Sequence, residues 1–112
     1  MKENTILTKV ETITKDGLLQ KLENNEQPQI VNVLSPEFYH LGFINGSRKI
    51  PLEELDKRHS ELDPNREVIT YCAHEECSAS SQAAEKLSQR GFSVKAYQGG
   101  IQEWKQAGLP TE

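Results

Sequence analysis

With 112 residues, the chain has enough length for one hydrophobic core and too little for two, so a single domain over residues 1–112 is expected. A net charge of −4, with no basic run longer than Arg48-Lys49 or Lys57-Arg58, argues against nucleic acid as a partner. No apolar run reaches the roughly 20 residues a bilayer demands, and MKENTILTKVETIT lacks the apolar core and cleavage site of a secretory leader, so no membrane partner and a cytoplasmic location are expected.

In chain order, an apolar stretch from Ile6 to Ile13 is followed by Thr14, a fitting helix N-cap, and by Leu18, Leu19 and Leu22 at helical spacing, which predicts a helix ending near Asn24-Asn25. Ile30-Val31-Asn32-Val33-Leu34 is short and β-branched between Pro28 and Ser35-Pro36, the pattern of a buried strand. Ser35-Pro36-Glu37 then has the form of a helix start, with serine as cap and proline at the first helical position. Turns at Gly42 and Asn45-Gly46 lead to a short helix opened by Pro51-Leu52-Glu53-Glu54-Leu55 and closed by Asp63-Pro64-Asn65. Glu67 to Tyr71 is a second buried strand, running directly into Cys72. From about Ser78 to Arg90, Ala79, Ala83, Ala84 and Leu87 recur three and four residues apart, with Gly91 placed to end the helix. A third strand, Ser93 to Tyr97, precedes Gly99-Gly100 and a last helix carrying Ile101 and Trp104, stopped by Gly108 and Pro110. Strands alternating with helices predict an α/β fold with a largely parallel sheet, whose ligands bind beyond the carboxyl ends of the strands.

Both cysteines, Cys72 and Cys77, fall in the connection YCAHEECSAS at such a strand end. A thiol there, beside a helix N-terminus with unpaired amides, is expected to ionise readily and act as a nucleophile. The plain alternative is a small buried hydrophobe closing a core strand. Cys72, His74 and Cys77 also offer three zinc ligands, but no second ligand pair exists elsewhere, so no metal is expected. A reversible disulfide between Cys72 and Cys77, or resolution of an oxidised or persulfidated Cys72 by Cys77, remains open.

The segment EVITYC, the loop after it, the helix SASSQAAEKLSQRGF, the strand SVKAY and the closing QGGIQEWKQAGLP together resemble the rhodanese-like family of single-domain sulfurtransferases. Gly99, Gly100, Trp104, Gly108 and Pro110 match the family's closing signature, and VNVLSPEFYHLGFINGSRKIPLEEL is similar to its upstream segment. The resemblance implies a five-stranded, mainly parallel sheet flanked by helices on both faces, no cofactor, and Cys72 as a catalytic nucleophile cycling between thiol and persulfide. It implies substrate binding by the loop residues Ala73, His74, Glu75, Glu76, Cys77 and Ser78, with Cys77 a candidate resolving thiol. The sulfur would come from a thiosulfate- or persulfide-type donor, small or protein-borne, and go to a thiol or cyanide-like acceptor. Asn32, Leu34 and Phe43 stand where the family usually carries Asp, Arg and His, and the loop is about two residues longer than the shortest. Glu75 and Glu76, at ~6 Å and an effective dielectric of ~20 to 80, would each repel an anion by roughly 0.7 to 3 kcal/mol, and no Arg or Lys lies between Cys72 and Glu85. A persulfide donor and weak thiosulfate activity are therefore expected. A thiol-disulfide or arsenate-type reductase using both cysteines, and an interaction module with little chemistry, are the competing expectations.

Overall fold

The computed structural model describes residues 10–74 and 76–112; the first half of the predicted Ile6–Ile13 stretch and Glu75 lie outside the described residues. Five parallel strands form one sheet: β1 (Thr12–Ile13), β2 (Gln29–Asn32), β3 (Arg48–Lys49), β4 (Val68–Tyr71) and β5 (Val94–Tyr97), in the order β1-β5-β4-β2-β3. Register runs Ile30 beside Ile69 and Asn32 beside Tyr71 on one flank of β4, and Val68 beside Val94 and Tyr71 beside Tyr97 on the other. β4 is thus the centre of the sheet, which explains its unbroken apolar and β-branched sequence: all four of its residues are buried.

Helices cover both faces. The helices α1 (Lys15–Glu23) and α4 (Gly100–Gln106) bring Leu18, Ile101 and Trp104 onto Ile30, Ile69, Tyr71 and Tyr97. On the other face, α2 (Leu55–Arg58) and α3 (Ala79–Gln89) supply Leu55, Ala83 and Leu87 against Val31, Val33 and Val68. Each large apolar side chain buried here contributes on the order of 2 kcal/mol relative to exposure. Alternation along β4 therefore decides which face each residue serves, with Val68 on one side and Ile69 and Tyr71 on the other.

Local sequence accounts for the boundaries. Thr14 caps α1, its hydroxyl accepting from the Gly17 amide at 3.0 Å. Gly91, at φ +92°, ends α3 where the periodicity places a helix stop. The strand predicted over 30–34 instead covers Gln29–Asn32: Val33 N–H still donates to Tyr71 O at the end of β4, but Leu34 N–H turns back to Asn32 Oδ1 at 2.8 Å and ends the pairing. Proline-led residues Pro36–Leu41 form a 3₁₀ helix, and the Ser35 side chain makes no capping bond. The indole of Trp104 donates to Pro110 O at 2.7 Å, which ties the chain beyond α4 to the helix core.

Candidate functional site

α3 follows β4 onto one face and α4 follows β5 onto the other, so a crevice opens where the two neighbouring strands end. Cys72 is the first residue beyond β4 at this edge. The turn after β5 closes over it: Ile101 N–H donates to Cys72 O and Gln102 N–H to Ala73 O, each at 2.9 Å. Gly100 makes this approach possible. It has φ +68°, and a Cβ there would fall 2.6 Å from Cys72 O and 2.7 Å from the Ala73 carbonyl carbon.

Tyr71 and Asn32 brace the strand ends below the loop. The buried Tyr71 hydroxyl meets Asn32 Nδ2 at 3.2 Å, the Ile44 amide at 2.9 Å and Ser47 Oγ at 2.9 Å. Burial pushes the Tyr71 phenol up, so the hydroxyl keeps its proton. Asn32 also holds Leu34 N–H, satisfying the backbone where β2 ends, as its buried polar character demands.

The Cys72 thiol is buried at 1% exposure and donates from Sγ to Cys77 O at 3.4 Å. Burial, reinforced by the Cys77 thiol beside it, pushes the Cys72 thiol up to about 11; the Ser80 amide and hydroxyl pull the other way. The expectation of a readily ionised thiol is therefore corrected for this state of the loop. Removal from water outweighs the amides near the helix start, and the thiol's hydrogen bond runs to the Cys77 carbonyl oxygen, which favours S–H over S⁻.

Within the predicted loop, His74 acts as a clasp. Its carbonyl accepts from Cys77 N–H at 3.0 Å, and its ring Nδ1 accepts from Glu76 N–H at 3.2 Å, which puts a neutral ring's proton on Nε2. The amides of Glu76 and Cys77 are thus committed to His74 and do not face the sulfur. Ala73 and His74 are half-buried and Glu76 is exposed. Cys77 is half-buried and packs on the same core cluster as Cys72; both thiols are free. Ser78 occupies the N-cap position of α3 but makes no cap bond, its exposed hydroxyl accepting instead from Gln82 Nε2 at 2.9 Å. Glu75 lies outside the described residues.

Two residues stand at the site that the sequence does not link to Cys72: Ser80, which reads only as a helix-start candidate, and Lys105. Ser80, 1% exposed, lies in the first turn of α3 beside the Cys72 sulfur, with its hydroxyl unpartnered; Thr70 Oγ1 pins the turn by donating to Ser80 O at 2.8 Å. Only the three-dimensional meeting of β4 and α3 identifies it. Lys105, more than thirty residues along the chain, lines a hollow of about 260 Å³ with Leu41, Ala73, His74, Ile101, Gln102 and Gln106, and donates to Leu41 O at 3.0 Å. A scan confined to the loop for Arg or Lys passes over this cation. Among the described residues, no group of three or more His, Cys, Asp or Glu is arranged to hold a metal, and no helix is long and apolar enough to cross a membrane.

Residues 14–107 match the model of the rhodanese-like domain. The chain belongs to the rhodanese-like family. This rhodanese-like chain is 34% identical over 102 residues to an HTH-type transcriptional regulator of Mycobacterium tuberculosis, covering 91% of its own length and 45% of that protein. It is 31% identical to a sulfurtransferase of Allochromatium vinosum, covering 90% of itself and 94% of the relative. Among solved structures, a rhodanese-related protein from Thermoplasma volcanium superposes with a TM-score of 0.79 at 28% identity, covering 91% of this chain and 97% of the other. Membership of the rhodanese-like family and relatives named sulfurtransferase support a sulfurtransferase-type role.

Proposed function

We propose that the chain acts as one rhodanese-like unit over residues 1–112 in which Cys72 carries sulfane sulfur as a persulfide. The observation that carries this is the placement of Cys72 at the carboxyl end of the central strand, under the crevice between β4 and β5, in a chain of this family. The Cys72 sulfur attacks the outer sulfur of a donor R–S–SH, forming Cys72–S–SH and releasing R–SH, which takes the thiol proton. An acceptor thiol R′–SH then attacks that outer sulfur, leaving R′–S–SH and restoring Cys72–SH. Ala73, His74, Glu75, Glu76, Cys77 and Ser78 form the substrate-binding loop, with His74 holding its shape and the hollow beside Ala73 and His74 admitting the donor. A persulfide donor suits the site better than thiosulfate: the sulfur is buried and held protonated, and Glu76 adds negative charge on the solvent side. A reducing, cytoplasmic setting keeps both thiols available.

One observation favours a second outcome for the loaded enzyme. The Cys77 thiol lies against the Cys72 sulfur, so Cys77–SH can attack the inner sulfur of Cys72–S–SH, giving the disulfide and releasing H₂S. Cys77 then acts as a resolving thiol when no acceptor is present.

Steady-state transfer to cyanide, compared between thiosulfate and a small organic persulfide, tests the function. Expected is a clear preference in kcat/KM for the persulfide, with Cys72→Ser inactive on both. Equal activity of Cys72→Ser and the unaltered protein would overturn the proposal, and a preference for thiosulfate would overturn the donor assignment.

A further inference from the structure

Ser80 is a buried hydroxyl without a hydrogen-bond partner, an arrangement that a folded core normally avoids because an unsatisfied polar group costs free energy. Its position is fixed from behind: the Ser80 carbonyl accepts from Thr70 Oγ1 at 2.8 Å, so the first turn of α3 cannot rotate the side chain away without breaking a buried bond. In front of it lies the Cys72 sulfur. While that sulfur bears a proton, its S–H points at Cys77 O, and Ser80 has nothing to donate to in good geometry. Loss of the proton reverses the demands. An anionic sulfur is repelled by the Cys77 carbonyl oxygen and needs donors, and the Ser80 hydroxyl and amide are the donors already in place.

We propose, building on the sulfurtransferase function, that Ser80 is a positioning residue whose hydroxyl and amide receive the anionic Cys72 sulfur when its contact with Cys77 O is released. The hydroxyl is idle in the resting thiol and engaged in the thiolate or persulfide anion. Of the described residues, the titratable group facing the sulfur is the Cys77 thiol, and its removal isolates the effect of Ser80.

This assignment gives Ser80→Ala an unusual pair of consequences. Removing an unpartnered buried hydroxyl leaves the thiol form of the protein as stable as before or more so. The same change deprives the anion of a hydrogen bond, a loss of about one pK unit for a donor to a charged atom.

The test is the rate of Cys72 alkylation by iodoacetamide against pH, in the full chain carrying Cys77→Ala so that Cys72 is the one thiol. Ser80→Ala is expected to move the titration upward by about one pH unit, giving roughly tenfold slower alkylation below the midpoint, with an unchanged or higher Tm. Ser80→Thr, which keeps a hydroxyl, is expected to restore most of the rate, and Ser88→Ala, at an exposed position farther along the same helix, to change nothing. An unshifted titration in Ser80→Ala, or a Ser80→Ala protein that fails to fold, would overturn the assignment. Alkylation needs no sulfur donor, so failure of persulfide transfer leaves this result to stand or fall separately.

Discussion

Replacing Gly100 with alanine strikes the contact that seats the cysteine loop. The new Cβ would lie 2.6 Å from Cys72 O, 2.7 Å from Ala73 C and 2.8 Å from Ala73 O, where ordinary contacts begin at 3.4 Å. All three are backbone atoms, so no rotamer change relieves the overlap and the turn must retreat by most of an ångström. Retreat stretches the bonds from Ile101 and Gln102 to Cys72 O and Ala73 O, worth about 1 kcal/mol each. The left-handed φ of +68° adds about 1 kcal/mol for a residue with a Cβ. The sum is about 3 kcal/mol, a fall in Tm of roughly 10–15 °C for a domain of this size. Gly108→Ala is the matched control: at φ +72° it bears the backbone strain but meets nothing within 4 Å, so about 1 kcal/mol is expected. Urea unfolding of both variants, followed by the rate of Cys72 alkylation, separates the steric cost from the conformational one. Equal stability losses in the two variants would refute the close approach of the turn to Cys72.

Alkylation of Cys72 is expected to accelerate about tenfold per pH unit from neutrality toward a midpoint near 11, because burial and the Cys77 thiol disfavour the thiolate; a plateau by pH 8 would contradict this. The raised folded pKa also sets a stability trend. The unfolded thiol loses its proton first, so the contribution of Cys72 is fully present below the ordinary thiol range and is lost as pH rises through about 11, measurable by urea unfolding across that window. Asn32→Ala removes the acceptor for the buried Leu34 amide and a partner of the Tyr71 hydroxyl, and a loss of about 2–4 kcal/mol is expected in urea unfolding. His74→Ala frees the Glu76 amide and is expected to raise hydrogen exchange across 73–78 with little change in global Tm.

Much of the fold can be read from the chain because its local signals agree with its packing. Thr14 caps where a cap is expected, Gly91 stops its helix, and the β-branched run of β4 is buried on both faces. The end of β2 falls short of the predicted one, since the apolar character of Leu34 reports burial and says nothing about whether its amide goes to a neighbouring strand or back to Asn32 Oδ1. The same limit applies at the site. A cysteine after a strand is visible in sequence, whereas the direction of the Cys77 carbonyl, the hydroxyl of Ser80 behind the sulfur and Lys105 across the hollow depend on how β4, α3 and α4 come together. The helix predicted from about Ser78 includes Ser80 in its first turn, but the helix rotation that turns it inward is fixed by Ala83, Ala84 and Leu87 meeting the core.

The most direct measurement is the intact mass of the protein after brief exposure to a small organic persulfide, for the unaltered chain, Cys72→Ser and Cys77→Ala. A gain of one sulfur atom that persists in Cys77→Ala and disappears in Cys72→Ser is expected. Labelling of Cys72→Ser to the same extent, or no sulfur gain in any of the three, would contradict sulfur carriage by Cys72.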